Sequence, residues 1–126
     1  MTHALTQAER DAYAHDGYLV PRHRLPAERV LALHASVDRL IEANPGVRPE
    51  KLISAHIEGR SGGGVVGSRA FLELAREPAI LDMVAQLIGP DIVLWGCHVF
   101  CKPAGDGLET PWHQDGQYWP IRPLAT

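Results

Sequence analysis

The chain has 126 residues, enough for one domain, with 45% apolar and 21% charged residues and two cysteines. Twelve basic against fifteen acidic side chains give a formal charge of −3, which offers neither nucleic acid nor an anionic membrane a cationic face. Two cysteines are too few for a disulfide scaffold. No apolar run approaches the ~18 residues of a membrane span, and the first ten residues lack a basic stretch followed by an apolar one, so the protein is expected to be cytoplasmic.

Thr6 and Glu9 have capping-box spacing and open a helix that Gly17 closes. Tyr18–Val20 reads as a short strand. Pro26 suits the first turn of a longer helix over about 26–43, where Val30, Leu33, Val37, Leu40 and Ile41 recur on one face. Asn44, Pro45 and Gly46 end it. Leu52–Ile57 is expected to be a strand and residues 59–64 a flexible glycine-rich loop. A helix pair follows over about 69–88, with Pro78 starting its second part and Gly89-Pro90 closing it.

Residues 91–102 (DIVLWGCHVFCK) are β-branched and aromatic, the strongest strand signal in the chain. A polar loop covers 103–111. Residues 112–118 are then read as a strand with Trp112, Gln114 and Gly116 on one face and His113, Asp115 and Gln117 on the other. Helices before strands predict an α+β fold, with 1–90 mostly helical and 91–126 supplying the first strands of the core sheet.

Side chains two apart on a strand point the same way from Cα atoms about 6.5 Å apart. His113 and Asp115 can therefore meet on one ion, as two of the three donors of a 2-His-1-carboxylate site. A solvated polar strand face is the plain alternative. On a strand, Cys97 and Cys101 would stand about 13 Å apart, too far for a disulfide or a shared zinc, and are read as buried thiols. Gly62–Gly64 lacks the Lys-Ser/Thr of a phosphate loop. Tyr118 and Trp119 are equally readable as pocket wall or core, and Arg122 as a solvated turn residue.

Context narrows the reading of the H-x-D pair. Residues 6–20, the 26–43 helix, FLELAREPAILDMVAQLIGPDI and CKPAGDGLETPWHQDGQYWPIRPL resemble, in order, the phytanoyl-CoA dioxygenase family. The run WHQDGQYWP carries most of that resemblance. It implies a double-stranded β-helix (jelly-roll, cupin-like), Fe(II) held by His113 and Asp115, and 2-oxoglutarate as cosubstrate with His98 beside it. The implied reaction uses O2 to hydroxylate a small-molecule substrate, yielding succinate and CO2. The resemblance also places a second iron-binding His and a 2-oxoglutarate-binding Arg downstream of residue 126. The chain is therefore expected to be the N-terminal half of a dioxygenase domain. His56 and His98 are candidates for a third ligand by residue type alone, and both are read as structural in that respect. Arg60 is not assigned a role. The competing class is a non-catalytic binding or interaction module that retains the first half of the fold.

Overall fold

The computed structural model describes residues 4–60 and 63–119. Ser61 and Gly62 of the glycine-rich loop, and Arg122 with the rest of 120–126, lie outside the described residues. In chain order, α1 spans Gln7–Asp16, α2 Ala27–Glu42, β1 Gly59–Arg60, β2 Val66–Gly67, α3 Arg69–Ala75 and α4 Pro78–Ile88. Short 3₁₀ turns cover Pro49–Lys51 and Asp115–Gln117. Among the described residues no helix is long and apolar enough to cross a membrane.

The helices form where local chemistry specifies them. Thr6 Oγ1 accepts from the Glu9 amide at 3.2 Å while Glu9 Oε2 accepts from the Thr6 amide at 2.8 Å, so two otherwise orphaned donors are satisfied reciprocally. Gly17 closes α1 at φ 79°, a left-handed cap that costs glycine nothing. The helix is tied to α4 by the bond from the Leu5 amide to Gln86 Oε1, 2.9 Å. Pro26 takes the N-cap position of α2, one residue outside the helix. Ser68 Oγ caps α3, and Pro78 opens α4 in its first turn, as its missing N–H allows.

Leu40, Leu52, Ala55, Val65 and Phe71 make the buried core, with Val37, Ile41, Cys97 and Val99 packed around it. Full burial of a side chain such as Leu52 contributes about 1.5–3 kcal/mol. Asn44, expected only to end a helix, is 5% exposed and joins two elements. Its Nδ2 donates to the carbonyls of Leu40 (2.8 Å) and Val66 (3.0 Å), and its Oδ1 accepts from the Val66 amide (2.8 Å). The side chain thus pairs with β2 as a neighbouring strand would. Asn44→Ala leaves both Val66 backbone groups without these partners and is expected to cost about 2–3 kcal/mol, read as a lower urea midpoint.

The expected strands fare differently. Tyr18–Val20 is irregular, with Tyr18 and Val20 exposed, Leu19 half-buried and no strand beside it among the described residues. Leu52–Ile57 is broken by turns, including Ser54 at φ 55°, after a single bridge from Leu52 to Val99. The strand pair sits instead at the ends of the glycine-rich loop, with β1 at its start antiparallel to β2 just beyond it and Gly59 opposite Gly67.

Residues 91–102 form no regular strand, because the segment they pair with, 49–55, turns at Ser54 (φ 55°) and leaves only the Leu52–Val99 bridge. Individual hydrogen bonds to that segment survive. Cys97 O accepts from Ala55 N (2.9 Å), Val99 N donates to Leu52 O (3.0 Å), and Cys101 N donates to Pro49 O (3.0 Å). The alternation expected of a strand survives: Cys97 and Val99 face the core, whereas His98 and Phe100 face outward. Burial raises the Cys97 thiol, and both cysteines are free. The expected strand over 112–118 is replaced by an irregular stretch and the 3₁₀ turn at Asp115, where Tyr118 N and Trp119 N both donate to Asp115 O. The described residues therefore form a mixed fold of helices with one small sheet. They do not form a double-stranded β-helix, since the extended segments that would begin it lack neighbouring strands.

Candidate metal centre

Beside the 95–100 segment lies a half-open cleft of about 560 Å³. Trp95, His98 and Phe100 from that segment line it together with His113, Asp115 and Trp119. The rings of Trp95 and Trp119 pack against each other, tilted, with centroids 5.7 Å apart. All three residues assigned from the sequence, His98, His113 and Asp115, thus share one cleft. Trp112 stands fully in solvent, and Tyr118 packs edge-on against the His113 ring at 6.3 Å.

The 3₁₀ turn at Asp115, rather than a flat strand, brings the H-x-D pair together. His113 Nδ1 is 2.7 Å from the Pro111 carbonyl, and Nε2 is 3.1 Å from Asp115 Oδ1. A carbonyl oxygen only accepts, so Nδ1 carries a proton. In the neutral ring the Nε2 lone pair then faces a carboxylate oxygen. Two acceptors at that distance need a positive charge between them, either a proton on Nε2 or a shared cation. The Pro111 carbonyl, and after it the Asp115 charge, accordingly raise the His113 pKa.

The spacing suits a metal. A divalent first-row ion takes imidazole nitrogen and carboxylate oxygen at about 2.0–2.2 Å, and two such donors at a right angle stand about 3 Å apart. A backbone carbonyl holding the other ring nitrogen is also the usual support for a ligating histidine. The pair therefore fits two protein ligands of a mononuclear site. Among the described residues no group of three His, Cys, Asp or Glu side chains converges.

His98 has the opposite tautomer. Its Nδ1 accepts from the Ser54 amide at 3.1 Å, so in the neutral ring the proton sits on Nε2. That makes His98 a hydrogen-bond donor, suited to an anionic oxygen rather than to a metal. His56 is not part of the cleft, and Arg60 hydrogen-bonds the Gly64 carbonyl within its own hairpin.

Sequence reasoning missed the anchorage of the loop before the metal pair. Glu50, 7% exposed, accepts from Arg48 Nε (3.2 Å) and Nη2 (3.0 Å) and from the Leu108 amide (2.9 Å). Arg48 Nη2 also donates to the Asp106 carbonyl at 2.9 Å. The R-x-E spacing of Arg48 and Glu50 was the only available signal, and it does not reveal a backbone partner 58 residues away. The Arg48 hydrogen bonds, followed by that of Leu108, hold the Glu50 carboxyl at about 2, against an ordinary value of 4.5. Because the folded-state value is the lower one, the carboxylate's contribution to stability is complete above about pH 4.5 and is lost as pH falls through about 2. The Leu108 amide resonance, followed through an acid titration, is expected to report that transition with a midpoint near 2.

A histidine–carboxylate pair with donor spacing for one ion, set in an aromatic cleft that also holds a tautomer-fixed histidine donor, matches part of the mononuclear non-haem oxygenase class. The chain belongs to the phytanoyl-CoA dioxygenase (PhyH) family, whose model matches residues 13–126. It is 25% identical to an ectoine dioxygenase of Streptomyces avermitilis over 119 residues, 91% of this chain and 40% of that protein. To an ectoine dioxygenase of Bordetella parapertussis it is 26% identical over 126 residues, covering 94% and 39% respectively. It is 30% identical over 112 residues to an L-proline trans-4-hydroxylase of Streptomyces griseoviridis, covering 85% and 40%. The chain thus spans about two fifths of the length of these curated relatives. No solved structure matches it.

Proposed function

We propose that the protein to which this chain belongs is an Fe(II)- and 2-oxoglutarate-dependent dioxygenase that hydroxylates a small molecule, and that His113 and Asp115 are two of its iron ligands. The observation that carries this reading is the 3.1 Å approach of His113 Nε2 to Asp115 Oδ1, with Nδ1 fixed by Pro111. Family membership supplies the reaction class, and the relatives named for ectoine and L-proline support a small substrate.

The chemistry that Fe(II) supplies when bound is the coupled oxidation 2-oxoglutarate + O2 + R–H → succinate + CO2 + R–OH. The chain's own residues prepare for it. The Pro111 carbonyl keeps the His113 Nε2 lone pair available and the ring oriented. Asp115 supplies negative charge, so that the ion and its two protein donors carry less net charge into the cleft. His98 offers Nε2–H to a carboxylate of the cosubstrate, its direction set by the Ser54 amide. Trp95 and Trp119 supply an apolar, aromatic side to the same cleft.

The test is an anaerobic Fe(II) titration of the longest form of the protein, with and without 2-oxoglutarate, followed by admission of O2. Iron uptake and iron-dependent succinate are expected. Absence of both would reject the reading.

A further inference from the structure

Resting on the metal assignment above, we propose that Arg48 and Glu50 are positioning residues that set the geometry of the His113–Asp115 pair by fastening the loop in front of it. The loop is held at three places on one short segment. Cys101 N donates to Pro49 O (3.0 Å), Arg48 Nη2 to Asp106 O (2.9 Å), and Leu108 N to Glu50 Oε1 (2.9 Å).

Between these anchors the chain folds back tightly. A Cβ at Gly107 would lie 2.9 Å from the Pro103 carbonyl and 3.1 Å from Lys102 Cβ, and Gly105 has φ 90°. The turn itself therefore has little freedom, and its attachment decides where the following residues start. From Leu108 the chain runs directly through Thr110, in the cleft wall, to Pro111 and His113. The Pro111 carbonyl that fixes the His113 tautomer is thus delivered by a segment whose last upstream anchor is Glu50.

The anchor is built to be rigid. Both Glu50 oxygens receive guanidinium N–H groups in a fork, the geometry in which arginine and carboxylate lock most firmly. The carboxylate is buried, so solvent competes weakly for it. A group that hydrogen-bonds a metal ligand directly, as Pro111 O does His113, is worth about 10- to 100-fold in metal affinity, and Glu50, acting one step further back through the backbone, falls at the low end of that range.

The experiment is Mn(II) binding to the longest form of the protein, read by electron paramagnetic resonance of free Mn(II). Amide exchange at 104–113 and helical circular dichroism are followed alongside. Glu50→Ala is expected to weaken Mn(II) binding by up to about tenfold. It should also speed exchange at Leu108 and His113 while α2 and α4 keep their helical signal. Glu50→Gln retains an acceptor for the Leu108 amide but loses the charged fork, so an intermediate loss is expected. It carries the same test if Glu50→Ala does not fold. Equal Mn(II) affinity in the parent and a folded Glu50 variant would overturn the positioning role alone. No Mn(II) uptake by the longest form of the parent protein would overturn the metal assignment, and this role with it.

Discussion

Alanine at His113 or Asp115 is expected to lower metal affinity at least about 100-fold, more than loss of a supporting residue costs, and to end iron-dependent succinate formation. The two substitutions act through different halves of the same contact. His113→Ala removes the neutral nitrogen donor and leaves Asp115 as a single exposed carboxylate, which binds divalent ions weakly. Asp115→Ala leaves the imidazole still oriented by the 2.7 Å bond to Pro111, but without the anion facing Nε2 at 3.1 Å. Because neither side chain belongs to the buried core, thermal unfolding of both variants should stay close to that of the parent. Asp115→Asn separates charge from shape: it keeps an oxygen near Nε2 while removing the negative charge, and should resemble Asp115→Ala in metal affinity. Unchanged metal binding or succinate formation in His113→Ala would sink the assignment of this pair.

The parts of the molecule that local chemistry determines were legible beforehand, and those that depend on distant backbone were not. α1, α3 and α4 carry their own boundaries in Thr6, Glu9, Gly17, Pro78 and Gly89, since caps and proline act within one turn. A strand exists only if another segment pairs with it. The 91–102 stretch has the right residues and alternates inward and outward as a strand does, yet its one partner, 49–55, kinks at Ser54. The glycine-rich stretch carries strand only in its first two residues, where the small Gly59 lies opposite Gly67 in the pairing of β1 with β2.

The same division holds at the candidate site. His113 and Asp115 were visible as residue types at a meaningful spacing. Their tautomer and orientation depend on the Pro111 carbonyl, and those of His98 on the Ser54 amide. Backbone groups occur at nearly every position and leave no mark in a one-letter sequence. Glu50 is the extreme case, since its partner at Leu108 is an N–H that almost any residue would provide.

Gly67→Ala is expected to be more disruptive than alanine at Gly17 or Gly64, lowering stability by about 3 kcal/mol or more. The cause is space rather than conformation, as Gly67 is not among the residues with positive φ. A Cβ there would fall 2.2 Å from the Ile57 carbonyl oxygen and 2.6 Å from that of Ala55. Both obstacles are backbone atoms, so no rotamer change relieves the overlap. Ala55 is fully buried, donates its N–H to Cys97 O, and accepts from Ser68 N at 2.8 Å. Moving it to admit a methyl group would disturb the core and the 95–100 wall of the metal cleft together. Gly17 and Gly64 provide the contrast. Both have positive φ, 79° and 82°, but open space around the position a Cβ would take. Alanine at either should cost about 1 kcal/mol, the penalty of the left-handed backbone alone. Urea unfolding of the three variants measures the difference. Similar midpoints for all three would show that β2 does not lie as closely against residues 55–57 as these contacts require.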